Sequence, residues 1–167
     1  MFKNFFLACI VAGTMSVAPG LAQAKTYTVP DPNPIAVVTI PDDWTATALP
    51  KGVEALSDDE TVYVAIEVTE LQDVAKAIAD SIIWLKSKNV VIDRSTQAQR
   101  DINMNGLTGV EVRWSATDED GPTQVSLTVL QANDTKGLVL TFWGTEEGAK
   151  ENAVDLNAIA SSLKLVK

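Results

Sequence analysis

Hydrophobic positions change period three times along this chain, and each change marks a new element. Over residues 61–68, Val62, Val64, Ile66 and Val68 alternate with Tyr63, Ala65 and Glu67, the two-residue repeat of a strand with one face in the core. The repeat then lengthens. Leu71, Val74, Ala75, Ile78, Ile82 and Leu85 recur at three- and four-residue steps, with Gln72, Asp73, Lys76 and Asp80 opposite, which predicts a helix over about 70–88. Thr69 and Gln72 have capping-box spacing at its start. Lys86 and Lys88 suit its negative carbonyl end, where Asn89 tolerates the left-handed cap.

Two-residue alternation returns after this helix. Strands are expected over 90–93, 96–103, 107–116, 123–131 and 138–143. Asn105-Gly106 marks a tight hairpin, because both residues tolerate positive φ. Polar turns over 118–122 and 133–137 separate the later strands, giving an antiparallel meander. In 107–116, Val110, Val112 and Trp114 alternate with Glu111 and Arg113. In 123–131, Val125, Leu127 and Val129 share one face. Residues 138–143 are apolar on both faces apart from Thr141, as expected near the middle of a sheet covered on both sides. The period lengthens once more after Thr145, a candidate cap. Glu146 and Glu147 load the first turn, and Ala149, Ala153, Leu156, Ala160 and Leu163 form an apolar stripe before a short extended tail over 163–166.

Upstream, residues 25–34 carry three prolines and read as an extended lead-in, and 35–40 as a β-rich run stopped by Pro41 and a turn at Asp42-Asp43. A weaker strand covers 53–57, with a turn at Asp58-Asp59. The fold class expected is α+β: an antiparallel sheet with a mid-chain helix and a C-terminal helix packed on it.

Residues 1–24 follow a different logic. Lys3 gives a positive start, residues 5–17 are mostly apolar, Pro19-Gly20 breaks the run, and Ala22-Gln23-Ala24 is the small-x-small pattern of a signal peptidase site. The expectation is a signal peptide of the Sec type cleaved after Ala24, with residues 25–167 as one domain in the periplasm or outside the cell. The apolar run is too short for a spanning helix of about 20 residues, so no stable membrane span is expected after cleavage. No Arg-Arg pair supports a twin-arginine route. Cleavage at Cys9 as a lipoprotein would leave almost no hydrophobic segment upstream of the cut.

Composition narrows the chemistry. Without residues 1–24 the chain keeps 12 Lys and Arg against 22 Asp and Glu. An acidic surface of this kind is repelled by nucleic acid and by anionic membrane. The chain has no His, and its one Cys lies within the signal at Cys9. Imidazole general bases, Ser-His and Cys-His nucleophiles, thiolate chemistry and disulfides are therefore excluded from residues 25–167. Metal sites there would have to be carboxylate sites for hard ions. No catalytic residue, cofactor or metal is expected.

Several motifs invite a function and have a plainer reading. Asp118-Glu119-Asp120-Gly121 is the densest acidic turn. Aligning Gly121 with the glycine of a calcium loop puts Ala116 and Leu127 at ligand positions, so it reads as a solvated turn, as does Asp58-Asp59-Glu60. Gly106-Leu107-Thr108-Gly109 lacks the strand-to-helix context of a phosphate loop and reads as backbone geometry. Asn133-Asp134-Thr135 is formally a glycosylation sequon in a turn. Of Trp44, Trp84, Trp114 and Trp143, Trp114 continues an apolar strand face, Trp84 sits at the edge of its helix's core stripe, and Trp44 follows a turn. Trp44 is the candidate ligand-pocket wall, against the commoner role of filling a core. Paired carboxylates suffice for glycoside hydrolysis, yet 22 acidic residues form many pairs by chance.

The order of elements, with Ile40-Pro41-x-x-Trp44 early, Leu107-Thr108-Gly109 in a hairpin and Ser161-Ser162-Leu163 after the last helix, resembles the Mog1/PsbP-like α/β/α sandwich group. The likeness spans nearly all of residues 25–167. It implies that fold and a non-enzymatic role among small exported accessory and binding proteins, and it assigns no residue a role. The function expected is an exported binding or accessory protein with a protein partner or small ligand. The alternatives are a structural subunit of an envelope complex and, less favoured, a carboxylate-based hydrolase.

Overall fold

A computed structural model describes residues 24–30 and 32–166. Apart from Ala24, the expected signal peptide lies outside the described residues.

The larger of two antiparallel sheets takes its strands from β3 (Thr45–Leu49), β4 (Gly52–Leu56), β5 (Val62–Glu70), β6 (Val91–Ile92), β7 (Ala98–Met104), β8 (Leu107–Asp118), β9 (Gly121–Gln131) and β10 (Lys136–Gly144). Their spatial order is β3-β4-β5-β10-β9-β8-β6, with β7 also paired to β8. A small sheet pairs β1 (Ala24–Val29) and β11 (Lys164–Leu165) with the two edges of β2 (Ala36–Pro41). Three helices complete the fold: α1 (Val74–Ser87), α2 (Glu146–Glu151) and α3 (Ala153–Ser162).

Strand alternation divides the interior into two cores, one on each face of the large sheet. Val62 and Ile66 of β5 and Leu138 of β10 join Val29, Val38 and Ile40 of the small sheet and Ile159 of α3. The opposite positions, Val125 and Leu127 of β9 and Trp114 of β8, join Leu85 of α1. Layered helix–sheet–helix packing follows, because each element buries one stripe or face. The strand expected over 138–143 is β10, which lies between β5 and β9 and feeds both cores.

The end of α1 is set locally. Asn89 adopts φ 62°, its N–H bonds the Lys86 carbonyl at 3.1 Å, and Val90 N–H bonds the Leu85 carbonyl at 3.1 Å. This is the Schellman arrangement, and the accompanying apolar contact is made by buried Val90 and Leu85. The start of α1 departs from expectation. A 3₁₀ turn, Leu71–Asp73, precedes α1, and no side chain caps either. Strand pairing wins here: β5 runs on to Glu70 opposite Lys136, so Thr69 is held in the ladder and its hydroxyl donates to the Glu70 carbonyl at 3.3 Å. Leu71 N–H is satisfied by the Thr135 carbonyl at 2.8 Å instead of by a capping box.

Three further differences have physical causes. The lead-in over 25–34 contains β1, because β2 offers it a free edge. An unanticipated edge strand, β3, returns against β4; its largely exposed Thr-Ala pattern carries little core signal. The closing helix breaks at Asn152, whose side-chain amide donates to Asp59 Oδ2 at 2.9 Å and to the Gly148 carbonyl at 3.0 Å. Thr145 does cap α2, accepting from Gly148 N–H at 2.9 Å, and the extended tail is β11.

Candidate functional site

A cleft of about 430 Å³ opens between the large sheet and the α2–α3 segment. Its floor is one face of four strands, and the register shows how that face changes character. Val64 of β5 pairs with Phe142 of β10, Phe142 with Ser126 of β9, and Ser126 with Arg113 of β8. The next row runs Ile66, Leu140, Thr128, Glu111 and Arg100. The floor is thus apolar on β5 and β10, hydroxylic on β9 and ionic on β8, with Arg100 of β7 beyond the lining. Leu156, Ile159 and Ala160 roof it.

The ionic end is organised by one buried carboxylate. Glu111 is 7 % exposed, and its Oε2 meets the Nε of Arg113 at 2.9 Å and the Nε of Arg100. The two guanidinium side chains remain 60 % (Arg100) and 53 % (Arg113) exposed. A carboxylate taken out of water needs such partners, and two of them leave the cluster with a net positive charge.

The β7–β8 turn borders the cleft beside the end of α3. Asn105 and Gly106 adopt φ 54° and 86°, as the Asn-Gly hairpin requires. Asn105 also donates through Nδ2 to the Ala160 carbonyl at 2.7 Å and the Leu163 carbonyl at 2.8 Å. One side chain therefore bonds two carbonyls at the end of α3, one of which also accepts the Leu163 N–H at 3.3 Å, and ties the roof to the wall. Gly109 has its own constraint, since a Cβ there would lie 2.0 Å from the Val129 carbonyl oxygen. Both glycines of the Gly106–Gly109 segment thus serve backbone geometry.

On the opposite face, a smaller cleft of about 270 Å³ lies between α1 and the sheet. Tyr63 and Trp84 stack there at 4.7 Å between ring centroids, and the Tyr63 hydroxyl donates to Glu54 Oε2 at 2.8 Å. Burial, together with the Glu54 carboxylate, pushes the Tyr63 phenol well above its ordinary value and keeps it protonated. Burial likewise raises Glu67, against the pull of Lys51 and with the push of Glu54 and Asp80.

Trp44, the candidate pocket wall, is 4 % exposed in the core between the sheet and α3 and lines neither cleft. Its N–H bonds the Pro41 carbonyl at 3.2 Å, which swings the ring inward, and its indole N–H reaches Asp155 Oδ2 at 3.4 Å. Trp84 is the indole that does line a cleft. Trp143 donates to Asp118 Oδ2 at 2.8 Å, and Asn89 to Glu119 Oε1 at 2.6 Å, so two carboxylates of that acidic turn serve protein donors. Asp59 accepts from Ser57, Thr61 and Asn152, hydrogen bonds that hold its carboxyl far below the ordinary range. Asn133 accepts from Thr135 N–H at 2.9 Å and Lys136 N–H at 2.8 Å and so shapes its turn. Among the described residues, no group of three or more carboxylates is placed to hold a metal ion, and no helix is long and apolar enough to cross a membrane.

Arg100, Glu111 and Arg113 are the site residues that sequence reasoning missed. The only signal of Glu111 and Arg113 is the polar side of an alternating strand, which reads as solvent-facing until a helix is seen to cover part of it.

No protein-family model matches the chain, and no curated protein matches it. Among solved structures, it is similar to cyanobacterial PsbP (CyanoP) from Synechocystis sp. PCC 6803, with TM-score 0.57 and 11% identity over 92% of this chain and 100% of that one. It is also similar to LpqN, involved in cell envelope biogenesis of Mycobacterium tuberculosis, with TM-score 0.55 and 13% identity over 86% of this chain and 92% of that one. The Saccharomyces cerevisiae Ran-binding protein Mog1p superposes more loosely, with TM-score 0.45 and 6% identity over 88% of this chain and 97% of that one. The fold is Mog1/PsbP-like.

Proposed function

We propose that this is an exported, non-enzymatic binding or accessory protein that holds an apolar ligand in the cleft between the large sheet and α3. The observation that carries this reading is the cleft, about 430 Å³ with an apolar floor on β5 and β10 and an apolar roof on α3. That size and lining fall within the range of small-molecule sites. The signal-like residues 1–24 and the absence of imidazole and thiol from residues 25–167 support an exported, non-catalytic role. The likeness to LpqN, a cell envelope biogenesis protein, is consistent with it.

Two measurements test this reading. Mass spectrometry of the protein made with its leader finds Lys25 at the N-terminus, and an intact Met1 start overturns export. A solvatochromic apolar dye binds the folded protein with a blue shift that Ser126→Phe abolishes by filling the floor, while circular dichroism stays unchanged. A dye signal indifferent to Ser126→Phe overturns the cleft. Recovery of the protein in a stable hetero-complex that covers α3 favours a structural subunit.

A further inference from the structure

We infer that the cleft selects an anionic amphiphile, a single apolar tail carrying a carboxylate or phosphate head, with Arg113 as the head-group anchor and Arg100 offsetting the charge of Glu111 beside it. The inference rests on the cleft being a binding site and adds the class of ligand.

The chain has a formal net charge of −9, yet the one carboxylate that lines this cleft, Glu111, is met by two guanidiniums: Arg113, which also lines the cleft, and Arg100, which reaches it from β7. Among the described residues, Glu111 is the only carboxylate within salt-bridge distance of either arginine. The Arg113 guanidinium carries five N–H donors and meets Glu111 through Nε, so donors remain for an incoming anion. Glu111 is largely buried and meets both guanidiniums, so its role is to fix the two forks side by side on adjacent strands.

Geometry supplies the other half. Val64, Phe142, Ser126 and Arg113 stand in one row across four adjacent strands. With strands about 4.8 Å apart, Arg113 lies about 10 Å from Phe142 and about 14 Å from Val64. A ligand lying across the strands therefore places its tail on β10 and β5 beneath Leu156 and Ile159, and its head over β8. A neutral apolar ligand would leave the arginines unused. A cationic one would meet their repulsion. A purely polar anion would leave the apolar half of the row uncovered.

The test is a head-group series on the folded full chain by titration calorimetry below the micellar range: decanoate, decyl phosphate, 1-decanol and decyltrimethylammonium. Decanoate or decyl phosphate should bind at least tenfold tighter than 1-decanol, and which of the two is tighter identifies the head. Each added methylene should tighten binding by about fourfold. Arg113→Gln should erase most of the preference for the anion, and Arg100→Gln part of it, both while leaving 1-decanol unchanged. Equal binding of decanoate and 1-decanol in the unmodified protein overturns the anchor and leaves the apolar cleft standing. Binding by none of the four overturns the cleft as well. A dimer in sedimentation that dissociates on Ser126→Phe assigns the cleft to a second copy of the chain and also overturns the proposal.

Discussion

The two faces of the large sheet are built from the same strands and come out chemically opposed. On the α1 face, Tyr63, Trp84 and Trp143 fill space with rings, and the smaller cleft keeps the carboxylates Glu54 and Glu67. On the α3 face, Phe142, Leu140 and Ile66 leave a larger opening that ends at Arg113 and at Glu111, which Arg100 also pairs. Strand alternation sends neighbours in sequence to opposite sides, so Tyr63 and Val64, or Thr141 and Phe142, belong to different environments one residue apart. The lesson is that one face is closed by aromatic stacking and the other is held open by a pinned helix.

The sharpest way to break the comparison is to damage one face and read the other. Leu85→Ala removes the fully buried anchor of α1, next to Val90 and Trp114, and should cost about 2–5 kcal/mol in urea unfolding. Dye binding in the α3 cleft should persist in the fraction that stays folded, because Leu85 belongs to the other core. Loss of binding at native stability would mean that the faces are coupled.

The second test loosens the pinned helix. Asn105→Gly keeps the left-handed turn residue but deletes both bonds to the α3 carbonyls, and should cost about 1–3 kcal/mol. Hydrogen exchange should quicken at the end of α3 and not in α1. Uniform quickening would show that Asn105 supports the whole fold and not the roof.

The smallest effects concern pH, and they differ in sign between the faces. Asp59, which bridges the β4–β5 turn to the α2–α3 break, has a folded pKa below its unfolded value. Its contribution is fully present above the ordinary carboxylate range and is lost as pH falls below that range toward the depressed folded pKa. Glu67 on the α1 face has a folded pKa above its unfolded value, so its ionisation weakens the fold as pH rises. Asp59→Asn should therefore flatten the acid limb of thermal stability. Glu67→Gln should raise Tm at neutral pH, by a gain that fades as the solution is acidified into the carboxylate range. Parallel pH profiles for the two variants would contradict the assignment of opposite environments.

Much of this was legible along the chain. The alternation in β5, the period of α1, the Asn89 and Asn105-Gly106 turns and the central placement of β10 each depend on residues near in sequence, and each stands in the structure as read. The capping box at Thr69 was misleading because a paired strand outcompeted a local cap. The site was barely legible. Trp44 was singled out for its size beside a turn, whereas the cleft is lined by Arg113, Phe142 and Ile159, which are far apart in sequence.

The sequence by itself determined periodicity, turn positions, the exclusion of imidazole and thiol chemistry from residues 25–167, and the acidic balance, because these follow from composition and from contacts within a few residues. Only the tertiary structure decided which polar face a helix would cover. Ser126, Glu111 and Arg113 look like solvent-facing residues of a meander until α3, docked against β2 through Ser162 and held by Asn105, lies across the same face. That docking joins residues separated by dozens of positions, so its cause is the packing of two cores and not any local pattern.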